Sequence, residues 1–102
     1  MILFLSAPYR GEDGLGTAEN IKRASGLAKE LWWDYDVICP QMNSAWFDYD
    51  SDVPPERYLE GYLNMVKVSD VVYFAKGWEE SEGCRAEHEL ALKLGKEVKY
   101  ER

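Results

Sequence analysis

Glu87 is the acid of this chain whose setting is hardest to explain as structure alone. In the run SEGCRAEHELALKLG it shares a helical face with Leu90, Ala91 and Leu94, at i+3, i+4 and i+7. Such an apolar stripe must turn toward a core. A carboxylate placed there costs free energy unless it is paired or used. The spacing leaves two readings open: an acid that does chemistry or binds a ligand, or a partly buried Glu hydrogen-bonded to the neighbouring loop. Glu89 is its natural contrast. It shares a face with Arg85 and Lys93 at i−4 and i+4, an ordinary solvated ion-pair row.

The other chemistry-bearing side chains are weighed in the same way. Ser81 suits the N-cap of the helix that carries Glu87, and Glu79, Glu80 and Glu82 suit the positive end of its dipole. The same hydroxyl and helix N-terminus also suit an anion. Arg10 is either a solvated loop arginine or a bidentate partner for phosphate or carboxylate. Its loop, APYRGEDGLG, lacks the Lys-Ser/Thr pair of a P-loop and the Gly-x-Gly-x-x-Gly of a dinucleotide fold, so it is weak as a nucleotide motif. His88 lies about 100° round the helix from Glu87 and has no Ser or Cys at triad-like spacing; it reads as structural. Tyr9, Trp46, Phe47 and Trp78 are either base-stacking or packing aromatics. Asp48, Asp50 and Asp52 alternate without the Gly and terminal Glu of a calcium loop, and no metal site is expected. Cys39 and Cys84 lack metal-ligand spacing and read as reduced thiols.

The elements that must position these groups follow from pattern. Short apolar, β-type runs at Ile2 to Leu5, Val37 to Cys39, Val71 to Ala75 and Glu97 to Glu101 predict four strands. Helices are expected from Thr17, as cap, to about Trp33, from Glu56 to Val68 with Pro55 in the first turn, and after Ser81. Their inward faces are Ile21, Ala24, Leu27, Ala28 and Leu31 in the first and Leu59, Leu63 and Val66 in the second. Gln41 to Pro55 reads as an irregular, aromatic and acidic loop. Strand–helix alternation predicts an α/β fold: an open, Rossmann-like or flavodoxin-like parallel sheet in the order 2-1-3-4, with right-handed crossovers and helices on both faces. Its topological switch point falls between the first and third strands. The loops Ser6–Gly16 and Lys76–Gly83 leave there, with Glu87 just behind the second.

Composition bounds the partners. The 102 residues make one expected domain, 1–102, and carry 12 basic against 19 acidic side chains, a formal charge of −7. That argues against a nucleic-acid polymer or an anionic membrane as the main partner. Met1 runs directly into ILFLSA, too short for a signal peptide or a membrane span, and the expected location is cytoplasmic.

Taken together, FLSAPYRG, the helix carrying Asn20-Ile21, VICPQMN, YLNMVKVSD and GWEESEGCRAEHELALKLGKEV give the chain its resemblance. It resembles the nucleoside 2-deoxyribosyltransferase-like superfamily, in particular its small phage and prophage members, and next the 2′-deoxynucleoside 5′-phosphate N-hydrolases. The specific part is Ser-x-Gly-x-x-x-Glu (Ser81, Gly83, Glu87), which in the hydrolases joins a phosphate-binding serine to the catalytic glutamate. Arg10 falls on their phosphate-contacting arginine. Two positions depart: an active-site tyrosine on the first strand is Phe4 here, and an assisting aspartate falls on Tyr62.

The resemblance implies cleavage of the bond between a nucleobase and deoxyribose, with Glu87 attacking C1′ and Tyr62 supplying a replacement hydroxyl. It implies a substrate pocket drawn from Ser6, Tyr9, Arg10, Gly11, Asn43, Ser81 and Gly83, no metal or organic cofactor, and a homodimer or larger homo-oligomer. The substrate would be a small nucleoside or nucleotide. The departures at Phe4 and Tyr62 favour a rival, a non-catalytic nucleotide-binding sensor or sponge. A phage interaction module that binds no small molecule is the third possibility.

Overall fold

The computed structural model describes residues 1–9, 14–44 and 52–102. Four strands, β1 (Ile2–Ser6), β2 (Asp36–Ile38), β3 (Val71–Phe74) and β4 (Glu97–Tyr100), form one parallel sheet in the order β2-β1-β3-β4. Leu3 sits beside both Val37 and Val71, and Val71 beside Glu97. Helices α1 (Gly14–Leu31), α2 (Pro40–Ser44), α3 (Pro55–Val68) and α4 (Glu82–Lys93) connect the strands, with a 3-10 turn at Trp78–Glu80 before α4. The expected topology is the observed one.

Alternation along the strands divides the core in two. Leu3, Leu5 and Val71 face Ala24 and Ala28 of α1, with Leu27 and Leu31 packed at the margin. Phe4, Val72 and Phe74 face Val66 of α3 and Ala91 of α4. The small Ala24 and Ala28 let α1 lie close to the sheet, whereas the α3–α4 face is filled by aromatic rings. Asp70 ties the two central strands at their start. Its carboxylate accepts from the Ile2 N–H (2.8 Å) and its own N–H donates to the Ile2 carbonyl (2.8 Å).

Several boundaries differ from expectation. Helix α1 begins at Gly14, which puts Thr17 inside the helix, and ends at Leu31. Glycine's helix penalty of about 1 kcal/mol is tolerated in a first turn that makes few intrahelical bonds. Strand β2 spans Asp36–Ile38, one residue earlier than its apolar run. The first residues of the expected loop form α2, because Pro40 is preorganised for a first helical turn. Leu94, placed on the apolar stripe by spacing, is exposed. It is the C-cap residue, followed by Gly95 at φ +69°, where Lys96 N–H returns to the Ala91 carbonyl and Gly95 N–H to Leu92. This left-handed terminus turns the chain away before Leu94 reaches the sheet. Among the described residues Glu89 forms no ion pair; the Arg85 guanidinium instead donates to the Glu79 carbonyl (2.7 Å).

Candidate functional site

Ser6 closes β1 two residues beyond Phe4, so it projects from the same face of the sheet, toward α4. Ser81 caps α4 as its position suggests, its hydroxyl accepting from the Cys84 N–H (3.3 Å). One turn further in, Glu87 points back at the sheet. The Ser6 hydroxyl donates to Glu87 Oε1 at 2.6 Å across 81 positions of sequence, a charge-assisted length. Both side chains are buried, Ser6 at 1% exposure and Glu87 at 7%. Burial pushes the Glu87 carboxyl up to about 7, while the Ser6 hydrogen bond pulls it down.

The second oxygen, Oε2, takes no hydrogen bond from a described residue, and no enclosed side-chain polar atom among those residues goes unpaired. Oε2 is therefore open to the space beside it. That space is a cleft of about 180 Å³ at the carboxyl ends of β1 and β3. Ala7 and Tyr9 line it from the loop after β1, Gln41 and Ser44 from α2, Tyr58, Leu59 and Tyr62 from α3, and Ser81, Gly83, Cys84 and Glu87 from the start of α4.

Two polar ties hold these walls. Buried Gln41 donates its side-chain amide to the Ala7 (2.8 Å) and Pro8 (3.4 Å) carbonyls, fastening α2 to the loop after β1. Tyr62 fastens α3 to α2: its hydroxyl donates to the Pro40 carbonyl (3.3 Å), accepts from Asn43 Nδ2 (3.4 Å) and pairs closely with the Ser44 hydroxyl. Its ring also meets Phe4 edge-on, with centroids 6.4 Å apart.

Of the residues singled out in the sequence, Glu87, Tyr9, Tyr62, Ser81 and Gly83 share the cleft. A Cβ at Gly83 would meet Leu59 only at 4.0 Å, so the missing side chain leaves room in the cleft rather than relieving a clash. Ser6 sits behind Glu87 and not on the cleft wall. Asn43 is exposed and reaches the site only through Tyr62. Arg10 and Gly11 lie outside the described residues, as do Trp46, Phe47, Asp48 and Asp50. Gln41, Ser44, Tyr58 and Leu59 were missed as cleft residues. Tyr58 was within reach of spacing, since it lies at i−4 from Tyr62 on one face of α3; the α2 pair carried no such signal.

Cysteine chemistry finds no support here. Burial pushes both the Cys39 and Cys84 thiols up, with the Ser6 and Ser81 hydroxyls only partly opposing this at Cys84. A buried thiol of this kind is a poor nucleophile. Among the described residues no three His, Cys, Asp or Glu side chains group as metal ligands, and no helix is long and apolar enough to cross a membrane.

Residues 17–100 match the family described as a domain of unknown function, DUF4406. The chain belongs to that family. The matched DUF4406 segment takes in α2, α3 and α4, and with them every described cleft residue except Ala7 and Tyr9. Among curated proteins, none matches the chain.

Proposed function

We propose that this DUF4406 protein cleaves the N-glycosidic bond of a (deoxy)nucleoside or its 5′-monophosphate, with Glu87 as nucleophile. One observation carries the reading: a buried carboxyl at the switch point of an open parallel sheet, one oxygen held and the other open to an aromatic-walled cleft. A carboxyl raised to about 7 still has an ionised form to draw on at neutral pH, which makes a usable nucleophile. The relation of the DUF4406 family to the nucleoside 2-deoxyribosyltransferase-like fold supports the same reading.

In this mechanism Glu87 Oε2 bonds to C1′ as the C1′–N bond breaks. The electron pair leaves with the base, which takes up a proton from solvent. Water then attacks C1′, its hydroxyl staying on the sugar and its proton passing to solvent, and Glu87 departs as carboxylate. The result is retention at C1′. A second base in place of water gives transfer. Tyr9, Tyr58 and Tyr62 offer aromatic faces to the base, while Ser81 and Arg10 are assigned to a 5′-phosphate.

The test is release of free base from a panel of nucleosides and monophosphates, followed by chromatography. Wild type should release base, and Glu87→Gln should lose at least ~10⁴-fold in rate, as befits a missing nucleophile. Wild-type turnover in Glu87→Gln would defeat the mechanism. A phosphate site predicts roughly tenfold tighter binding of the monophosphate than of the nucleoside. A second reading, a nucleotide-binding protein without turnover, is favoured by a specific observation. Glu87 is the one carboxylate lining the cleft among the described residues, whereas two-step glycosidases use a second as acid and base. Ligand-induced thermal stabilisation with no base release would select it.

A further inference from the structure

We propose that Ser6 is a positioning residue for Glu87, fixing Oε1 so that Oε2 is the oxygen presented to the ligand. This rests on the proposed role of Glu87 and reassigns Ser6, which the sequence resemblance placed among substrate contacts.

The geometry keeps Ser6 off the ligand: besides Glu87, its hydroxyl also meets the buried Cys84 thiol. Its side chain is enclosed, it is absent from the cleft wall, and its hydroxyl proton is directed at Glu87 over 2.6 Å. Its backbone is equally committed, with the carbonyl accepting the Ala75 N–H (2.9 Å) where β1 passes β3. The hydroxyl is thus mounted at the end of β1, a strand paired with neighbours on both sides, and not on a loop. A carboxylate held by one oxygen against such an anchor loses the rotation about its last bond that would exchange Oε1 and Oε2. The oxygen left over is the one in the cleft.

The same contact sets the charge of the group. The titratable side chains that share the cleft with the carboxyl are Tyr58 and Tyr62 of α3, Cys84 of α4 and Tyr9 after β1, and among the described residues lining it there is no cation. Ser6 is the polar partner that opposes burial, so its removal must raise the carboxyl further and shrink the ionised fraction at neutral pH.

The experiment follows Glu87 by carbon-13 carboxyl NMR across pH in wild type, Ser6→Ala and Ser6→Cys, with Glu87→Gln assigning the signal. Ser6→Ala should move the Glu87 midpoint upward by about one pH unit, the worth of a hydrogen bond to a charged group. Ser6→Cys, with a weaker donor, should fall between and carries the test alone should the alanine variant not fold. Where base is released, the acid limb of the rate profile should move upward with the NMR midpoint, and the loss at neutral pH should lie in kcat more than in KM. An unchanged midpoint, or a rate loss equal at every pH, overturns the positioning role. Because the titration needs no substrate, a protein that shifts as expected yet releases no base would refute the glycosidic reading and leave the positioning role standing.

Discussion

Glu87 and His88 are consecutive residues of α4, yet they belong to opposite kinds of environment. Glu87 faces the cleft with one hydrogen bond and one open oxygen. His88 faces β4, where its Nε2 meets the Tyr100 hydroxyl at 2.7 Å and its ring lies 4.2 Å from Trp78 and 4.9 Å from Phe74. Around His88 the polar group is matched by a partner and the rings fill space. Around Glu87 the polar group is underpaired, and burial works against its charge. The contrast teaches that one helix can carry a region optimised for stability beside one that sacrifices it, which is the usual mark of a functional site.

Substitutions can break or sharpen that contrast. Phe74 underlies the aromatic region with no exposure, and Phe74→Ala should cost about 4 kcal/mol in denaturant unfolding, equally at pH 5 and pH 8. A loss under about 1 kcal/mol would remove the structural role given to that region.

The next effect has the opposite sign. Folded Glu87 holds its proton up to about 7, whereas in the unfolded chain it releases it near 4.5. The folded state therefore binds more protons between these values, and stability from this group falls as pH rises through that window. Glu87→Gln removes the fall. It should stabilise the protein by about 3 kcal/mol at pH 8 and by little at pH 4.5. Destabilisation at pH 8 would mean the carboxylate belongs to the fold after all.

Glu89→Gln gives the smallest effect. With its side chain exposed and no ion pair made among the described residues, the change should stay within about 0.5 kcal/mol at either pH, as judged by thermal unfolding. A larger loss would show that the solvated face of α4 matters as much as its buried one.

Much of this was legible in the chain. Apolar runs of strand length and the 3.6-residue period of the helices are local signals, and with the chirality of βαβ units they were enough for a sheet ordered 2-1-3-4. The same period put Glu87 on the buried face and Glu89 on the solvated one, and the Ser81 cap was readable from residue type and position. Where local pattern competed with a turn, it misled: Leu94 satisfied the stripe's spacing, but the glycine terminus at Gly95 carries it into solvent.

What only the tertiary structure decided is which atoms meet. Periodicity says toward which side a side chain turns and nothing about what stands opposite. The Ser6 partner of Glu87 lies 81 positions away, and the Gln41 amide finds the Ala7 carbonyl across 34. Tyr62 lines the cleft, but its hydroxyl found Pro40, Asn43 and Ser44 of α2 and made no bond to the glutamate. These pairings arise when separate elements pack, because a buried polar group takes whichever partner the assembled core brings within about 3 Å.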